Sequence, residues 1–292
     1  MVEKKRVTVF TPTYNRAYIL DRVYESLKIQ TNQSFVWLII DDGSTDHTYE
    51  LINEWLTENY IKIQYFKQKN GGKQRAHNKG VELCDTELFI CVDSDDFLPE
   101  NAIDSFISIW DSIEEKSELS GIVALRGYDR NTPIGTSMPN NLKISPLNDL
   151  YNKHGFTGDT ALLFRTDILR RFPFYVADGE KFIGEGYIYN QIDQDYSMYI
   201  ENTILYIGEY LNDGYTANVK KLTKENPKSY TVLKRQAVTL SKTFKSRYLN
   251  TVKYLIGCIL SKERHPIQNA PFKYIAIFAY PPALFLYWKW YR

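Results

Sequence analysis

The sequence predicts an α/β fold in which a mostly parallel β-sheet is flanked by helices and followed by a helical C-terminal region. Over residues 1–100, short segments rich in Val, Ile, Phe and Leu alternate with segments whose apolar residues recur at helical spacing. This alternation is typical of β-α units, which place successive strands side by side and parallel. The chain has 292 residues, of which 43% are hydrophobic, and is therefore long enough to bury a sizeable core.

Each predicted strand in this region is a short run of β-branched, aromatic or aliphatic residues. The four runs are Val7 to Thr11, Phe35 to Ile40, Ile61 to Phe66 and Leu88 to Val92. Apolar residues at helical spacing lie between them, for example Leu20, Val23 and Leu27 after the first run. We expect such residues to form the faces with which the helices cover the sheet.

The regular pattern breaks between Gly121 and Pro146, where Asn, Pro, Gly and Ser residues predict a hairpin or a long surface loop. Helical spacing returns beyond this break, most clearly over residues 230–261. We therefore expect an α/β domain over residues 1–210 and a helical region over residues 211–292.

Composition and charge limit the classes of partner and compartment. The 36 Lys and Arg residues against 35 Asp and Glu leave a net charge of +1, so no overall positive field draws the protein to nucleic acid. Cys84, Cys91 and Cys258 show no CxxC spacing, which favours a reducing compartment and argues against structural zinc. The N-terminal segment lacks the apolar stretch of a signal peptide. We expect a cytoplasmic protein that binds no nucleic acid.

The segment from Tyr274 to Trp288 is the longest uncharged stretch of the chain. It is shorter than the roughly 18 apolar residues that a spanning helix needs, and we expect Pro281 and Pro282 to interrupt it. Lys273 and Lys289 flank it together with Trp and Tyr residues, as in interfacial membrane anchors. Two interpretations stay open: peripheral contact with the inner face of the plasma membrane, or a helix packed on the protein core.

The residues with the clearest chemical potential all follow a predicted strand. They lie in four polar loops: TPTYNR at 11–16, DDGSTD at 41–46, NGGKQRAHNKG at 70–80 and DSDD at 93–96. Ligands of open parallel sheets bind where the carboxyl ends of the strands pass into loops. The four polar loops should therefore meet at one edge of the sheet.

The carboxylates of these loops have two interpretations each. Asp93 and Asp95 supply hard oxygen ligands that suit Mg²⁺ or Mn²⁺ holding a diphosphate, but alone they could form a turn with capping carboxylates before Pro99. Asp41 and Asp42 could accept the N–H of a pyrimidine base or bond a ribose hydroxyl, or they could cap the next helix.

The third loop combines glycines with cations. Gly71 and Gly72 allow the backbone to approach a ligand closely, while Lys73 and Arg75 place positive charge beside its phosphates. Taken alone, this segment is an ordinary basic turn. The specific signal is the set of four loops in this order.

That ordered set resembles the motifs of the family 2 glycosyltransferases with the GT-A fold, and the resemblance covers residues 7–98. In that family the four motifs line one nucleotide-sugar pocket. The resemblance assigns the base and ribose pocket to four residues of the first two loops, namely Thr11, Pro12, Tyr14 and Asp41. It places Lys73, Asn78 and Asp93 at the donor, with Arg16 closing its loop electrostatically.

By the same resemblance Asp93 and Asp95 form the DXD pair, with Asp95 as the direct ligand of Mg²⁺ or Mn²⁺. His77 has no assigned role, and we expect it on the polar surface of its helix. The resemblance implies a GT-A nucleotide-sugar-binding and catalytic domain over residues 1–210.

Two segments of the second half, GFTGD at 155–159 and GEKFIGEG at 179–186, resemble acceptor-side motifs of the family. Many members carry a Glu-Asp pair whose Asp is the general base, whereas this chain has Glu185 followed by Gly186. Glu185 is therefore the candidate base, with Asp159 as its rival and helix capping as an alternative role for Glu185.

The resemblance implies an inverting, metal-dependent enzyme of the hexosyltransferase type. It would move a single sugar from a nucleotide diphosphate sugar, with UDP as the expected nucleotide, to a cell-surface polysaccharide or lipid-linked acceptor. The first loop has no glycine and the chain has no G-x-x-x-x-G-K-[ST] or G-x-G-x-x-G motif, which argues against nucleotidyltransferases, nucleotide hydrolases and dinucleotide enzymes. Gly186 leaves one alternative open, a non-catalytic protein that binds sugar nucleotides or glycans.

Overall fold

The computed structural model describes residues 5–208 and 218–292. The strands of this part of the chain are β1 (Val7–Thr13), β2 (Phe35–Asp41), β3 (Ile63–Lys67), β4 (Leu88–Cys91), β5 (Leu119–Gly127), β6 (Ile144–Ser145), β7 (Thr160–Arg165) and β8 (Ser197–Ile207). The helices that accompany the sheet are α1 (Asp21–Lys28), α2 (Thr48–Glu58), α3 (Lys73–Leu83), α4 (Ala102–Ser112), α5 (Leu147–Asn152), α6 (Thr166–Leu169) and α7 (Gly186–Asp195). Four more follow: α8 (Val219–Glu225), α9 (Pro227–Leu240), α10 (Phe244–Leu260) and α11 (Lys273–Tyr291).

The chain divides into two compact units. The first comprises Met1–Pro173 and Gln191–Glu209, and the second comprises Phe174–Asn190 and Tyr210–Arg292. Residues 174–190, which the expected domain of residues 1–210 includes, thus cluster with the second unit.

The sheet belongs to the first unit and has the order β3-β2-β1-β4-β7-β5-β8-β6. Strands β1 to β4 pair in parallel, and β5 pairs in parallel with β8. Strand β7 is antiparallel to both of its neighbours, as is β6 to β8. The predicted α/β fold with a mostly parallel sheet flanked by helices is confirmed, and the four predicted strands lie within two residues of their expected positions.

Strand β2, which lies between β3 and β1, is buried along its whole length because both of its faces are covered. On one face, Trp37 and Trp55 of α2 lie with ring centroids 5.5 Å apart, and Tyr24 of α1 stacks on Trp55 at 4.4 Å. This aromatic packing fixes two helices against the strand. The loops at its carboxyl end consequently emerge from a rigid base.

The register of the parallel strands brings the polar loops together. Thr13 at the end of β1 lies opposite Asp41 at the end of β2, and Asp41 lies opposite Lys67 of β3. Phe10 of β1 lies opposite Cys91, the last residue of β4. The loops that follow β1, β2, β3 and β4 therefore leave one edge of the sheet, as predicted.

The segment between Gly121 and Pro146 is only partly a loop, which corrects the sequence-based expectation. Its first residues continue β5, and Ile144–Ser145 forms the short strand β6. The apolar run IVAL inside β5 is buried between β7 and β8 and outweighs the two glycines of the strand. The irregular stretch is confined to the residues between these strands.

The second unit has its own core, in which α10 packs against α9 and α11. Contrary to expectation, α11 runs through Pro281 and Pro282 without a break. A proline cannot donate to the carbonyl four residues earlier, which leaves the Phe278 carbonyl without the N–H of residue 282. The Tyr248 hydroxyl donates to that carbonyl at 3.4 Å and so replaces the missing hydrogen bond. Among the described helices, none is both long and apolar enough to cross a bilayer.

Candidate active site

The loops after β1 and β2 are joined by hydrogen bonds at the carboxyl edge of the sheet. Asn15, whose φ is 53°, donates through its backbone N–H to Ser44 Oγ at 2.9 Å. Its side-chain oxygen accepts from the Thr45 N–H at 2.8 Å, and Asp46 Oδ2 accepts from the Ala17 N–H at 3.1 Å. Asn tolerates this left-handed conformation better than most residues. The TPTYNR and DDGSTD loops therefore form one ordered unit.

Asp41, expected at the base and ribose pocket, is fully buried. Its Oδ1 accepts from the Ser44 N–H at 2.7 Å, and its Oδ2 accepts from the Tyr65 hydroxyl at 2.7 Å. The carboxylate therefore contributes to the order of the loop as well as being placed at the site. The alternative capping role belongs instead to Asp46, whose Oδ1 accepts from the N–H and hydroxyl of Thr48, the first residue of α2.

Asp42 fixes the glycine turn of the third loop. Its carboxylate accepts from the N–H groups of Gly71 at 2.8 Å and Gly72 at 2.7 Å, and from Gln68 Nε2 at 2.7 Å. Gly72 has a φ of 94°, which favours glycine at this position. The turn that precedes Lys73 is therefore held by a carboxylate of the neighbouring strand.

Lys73 and Asp93 form an ion pair, with Lys73 Nζ 2.8 Å from Asp93 Oδ1 and 2.9 Å from Oδ2. Burial opposes ionisation of Asp93, but the Lys73 ammonium outweighs it, so the pKa of this carboxyl lies below its ordinary value. Two residues expected at the donor thus contact each other. The sequence predicts that both residues lie at one edge of the sheet. It does not predict their pairing, which depends on α3 beginning at Lys73.

Asp95 differs from its neighbours in what surrounds its carboxylate. No side chain of residues 5–208 or 218–292 donates a hydrogen bond to it. Burial and then the negative charge of Asp93 raise the pKa of Asp95 above its ordinary value. An ionised carboxylate in this setting is stabilised by a cation.

The oxygen donors of Asp93 and Asp95 suit Mg²⁺ or Mn²⁺. Among the described residues, no group of three or more His, Cys, Asp or Glu side chains could hold a metal ion. The protein would therefore contribute one or two carboxylates, and the other ligands would be phosphate or water oxygens, which is the usual arrangement for Mg²⁺.

Asp96, Arg126 and Tyr206 form a buried cluster beside this pair, and sequence reasoning missed its last two members. Arg126 Nη2 lies 2.9 Å from Asp96 Oδ1, and the Tyr206 hydroxyl donates to Asp96 Oδ2 at 2.8 Å. Burial raises the pKa of Asp96 to about 7, because the effect of Arg126 only partly compensates for burial and for the charge of Asp93. The only signal in the sequence is that each residue lies in or beside a short apolar run, where a buried polar group needs a partner.

Asp159, the rival candidate base, immediately precedes β7. Its carboxylate lies 3.7 Å from Arg126 Nη1, so the structure joins it to the Asp96 cluster. Glu185 belongs to the second unit and is exposed. It immediately precedes α7, and its backbone carbonyl accepts from the Ile188 N–H at 3.2 Å. A position at the start of a helix is thus compatible with the capping alternative and leaves the side chain accessible.

The remaining expected residues have different surroundings. Thr11 is buried and its hydroxyl accepts from the Trp37 indole at 3.0 Å, so its side chain supports the packing of β1 on β2. Pro12 is half-buried and Tyr14 is exposed, so both are accessible to a ligand. Asn78 lies on α3 and borders a cavity of about 300 Å³.

His77 corrects the expectation of an exposed surface residue. Its ring lies edge-on to Phe10 and Phe89, with centroids 5.6 and 5.3 Å away. Burial, and then the charge of Lys73, lower the pKa of His77 to about 3. The imidazole is neutral and packs α3, the helix that begins at Lys73, against β1 and β4.

Comparison with known proteins identifies relatives of the chain. The family model described as "Glycosyl transferase family 2" matches residues 8–172. The glycosyltransferase GlyG of Streptococcus pneumoniae is 31% identical over 126 residues, which span 43% of this chain and 40% of GlyG. The chondroitin synthase of Escherichia coli is 36% identical over 98 residues, 34% of this chain and 14% of that enzyme. The chain thus matches less than half of each relative's length.

Solved structures share the fold at low identity. S. aureus TarS 1–349 in complex with UDP-GlcNAc superposes with a TM-score of 0.60 at 16% identity, over 96% of this chain and 80% of that one. The mannosyltransferase PcManGT from Pyrobaculum calidifontis, in complex with GDP-Man and Mn²⁺, gives 0.57 at 16% identity, over 99% and 80%.

We predict that Asp42→Ala lowers the free energy of unfolding by about 2 to 4 kcal/mol, because two partly buried backbone N–H groups and an amide lose a charged acceptor. Urea unfolding followed by circular dichroism measures the change. Asp85→Ala is the matched control, since Asp85 is exposed and should cost less than about 0.5 kcal/mol. Equal stability of the two variants would show that Asp42 does not hold the glycine turn.

Proposed function

The chain belongs to glycosyl transferase family 2, and from this premise we propose that it transfers one sugar from a nucleoside diphosphate sugar, with inversion, to a glycan or lipid-linked precursor of a cell-surface polysaccharide. Membership of the family supports a transferase over the alternative of a non-catalytic binding protein. The observation that carries the finer proposal is the group of carboxylates and Lys73 that the polar loops bring to one edge of the sheet.

The nucleotide would lie on the loops after β1 and β2. A carboxylate oxygen has two acceptor positions, so Asp41 can accept an N–H of the base beside its bonds to Ser44 and Tyr65. Tyr14 and Pro12 would contact the base and ribose. We propose UDP because a carboxylate complements the N–H of uracil and because TarS has a complex with UDP-GlcNAc.

The diphosphate would lie between the third loop and the DSDD loop. Asp95 would be the direct ligand of Mg²⁺ or Mn²⁺, with Asp93 beside it, and PcManGT has a complex with Mn²⁺. Such an ion offsets the negative charge of a departing diphosphate. Lys73 and Asn78 would face the donor, with the Lys73 ammonium held in place by Asp93.

The reaction needs a base to take the proton of the acceptor hydroxyl. The acceptor oxygen then bonds to the anomeric carbon as the nucleoside diphosphate leaves from the opposite face, which inverts the linkage. We propose Glu185 for this role because its side chain is exposed. Asp159 is a weaker candidate because Arg126 already neutralises its charge at 3.7 Å.

We further propose that α11 binds the surface of an anionic bilayer, where a lipid-linked acceptor would be made. The helix has one face of small residues buried against the rest of the second unit: Ala276, Ala279 and Ala283. Four aromatic residues on another face, spaced four, seven and three positions apart, are exposed by 60% or more: Tyr274, Phe278, Phe285 and Trp288. The first face supports the core alternative for part of the helix, and the second resembles an interfacial anchor.

Charge supports this partner. Residues 244–292 contain eight Lys and Arg residues and a single acidic residue, Glu263. A basic surface with exposed aromatic side chains complements anionic lipid headgroups.

We predict that Asp95→Ala abolishes metal-stimulated hydrolysis of the donor while the protein stays folded, because this carboxylate holds no other side chain in place. The assay is hydrolysis of a panel of UDP- and GDP-sugars as Mn²⁺ or Mg²⁺ is added. Asp85→Ala, an exposed carboxylate outside the polar loops, should retain the parental rate. Parental metal stimulation in Asp95→Ala would refute the metal assignment.

We predict that Glu185→Gln lowers transfer by about 10² to 10⁴ while donor binding persists, because the amide keeps the size of the side chain but cannot accept the proton. Transfer is measured with the donor that the hydrolysis panel identifies. Asp159→Asn is the comparison. If it abolishes transfer and Glu185→Gln does not, the base is Asp159.

We predict that the double variant Phe278→Ser and Phe285→Ser binds phosphatidylglycerol vesicles about tenfold more weakly or worse, with an unchanged circular dichroism spectrum. Substitution is preferable to removal of α11, which would uncover the core of α10. The control replaces Ile29 and Tyr60, exposed by 58% and 68% on the first unit, with Ser. Failure of the parental protein to sediment with these vesicles would exclude the proposed surface.

A further inference from the structure

We propose that Tyr206 and Arg126 are positioning residues that hold the loop Asp93–Asp96 in the conformation in which its carboxylates meet the diphosphate and its metal ion. This inference rests on the proposed function of Asp93 and Asp95. It adds two residues from β5 and β8, which lie outside the polar loops.

The Tyr206 oxygen occupies the centre of this arrangement. It accepts from the backbone N–H of Asp93 at 3.0 Å and donates to Asp96 Oδ2 at 2.8 Å. The turn between these residues is closed by the Asp96 N–H, which donates to the Asp93 carbonyl at 3.1 Å. Tyr206 is only 5% exposed, so water cannot readily replace its hydroxyl. One hydroxyl therefore contacts both ends of the four-residue loop.

Arg126 supplies the charge that makes this burial possible. Its Nη2 lies 2.9 and 3.0 Å from the two oxygens of Asp96, which is 1% exposed. A buried carboxylate without a cation would be strongly unfavourable. The guanidinium also lies over the Tyr206 ring, 5.1 Å from its centroid. Each member of the cluster consequently restricts the other two.

Backbone hydrogen bonds also join the end of β8 to the residue that follows this loop. The Phe97 N–H donates to the Ile207 carbonyl at 3.0 Å, and the Ile207 N–H donates to the Phe97 carbonyl at 2.9 Å. These residues directly follow Asp96 and Tyr206 in the chain. The side-chain and backbone contacts together leave the loop few other conformations, so Asp95 keeps a fixed position beside Asp93.

The two hydrogen bonds of the Tyr206 hydroxyl predict a specific effect of the substitution Tyr206→Phe. The ring and its contact with Arg126 remain, but the Asp93 N–H and one Asp96 oxygen lose their partner. Residues that orient metal ligands typically affect metal affinity or activity by about 10- to 100-fold. We therefore expect the Mn²⁺ concentration for half-maximal donor hydrolysis to rise by about tenfold or more. Affinity for UDP or GDP without metal should stay unchanged, since the loops after β1 and β2 are untouched.

The test uses the full chain and three measurements: the Mn²⁺ concentration for half-maximal donor hydrolysis, Mn²⁺ binding in the presence of UDP or of GDP by calorimetry, and thermal unfolding. Tyr199→Phe is the matched control, because it removes a hydroxyl from the same strand and Tyr199 has no side-chain hydrogen bond among the described residues. We expect weaker Mn²⁺ binding and a shifted Mn²⁺ optimum in Tyr206→Phe only. A merely structural role would lower the melting temperature and leave both metal curves unchanged.

Should Tyr206→Phe not fold, Arg126→Lys enters the same assays with the same expectation. If both variants unfold, or if a folded variant has parental metal curves, the inference is wrong. A parental protein without metal-stimulated hydrolysis of any UDP- or GDP-sugar would instead overturn the proposed function, and this inference with it.

Discussion

Compensation of negative charge at one edge of the sheet is the constraint on which the site depends. The five carboxylates lie at the end of β2 or in the loops that follow β2 and β4, and parallel pairing with β1 keeps those loops together: Asp41, Asp42, Asp93, Asp95 and Asp96. Carboxylates that lie close together repel one another. This repulsion favours their protonation or displacement unless each has a partner. A tyrosine, glycine N–H groups, a lysine and an arginine satisfy four of the five. The remaining carboxylate, Asp95, is the one whose charge calls for a ligand.

The partners also determine what each carboxylate can do. Asp42 uses its oxygens on the glycine turn, and Asp96 uses both of its oxygens on Arg126. Neither can therefore turn toward a donor without releasing a loop. Asp41 has one hydrogen bond on each oxygen and keeps acceptor capacity beside them. All three carboxylates thus hold loops, and Asp41 differs in keeping acceptor capacity for the proposed base.

The sequence was sufficient for the fold and for the meeting of the four polar loops at one edge of the sheet, because both depend on local patterns. The strand runs, the helical spacing and the order of the four polar loops are all read within short windows, and β1 to β4 lie where they were predicted. Long-range contacts carry no such signal. Tyr206 donates to Asp96 across 110 positions, and the Thr11 hydroxyl accepts from the Trp37 indole on the neighbouring strand. His77 looked like a surface residue because its two Phe neighbours lie on strands distant in sequence.

The net charge of the whole chain hides an uneven distribution of charged residues along the sequence. The chain carries +1 overall, but residues 244–292 hold eight of its 36 cationic and one of its 35 acidic residues. Residues 1–243 therefore carry 28 cationic against 34 acidic residues, a net charge of −6. A nucleoside diphosphate would meet a repulsive field there unless local cations oppose it, and Lys73 is already neutralised by Asp93. The excess acidity of residues 1–243 and the excess basicity of residues 244–292 thus support two separate proposals: a metal ion that accompanies the donor, and an anionic surface that α11 contacts.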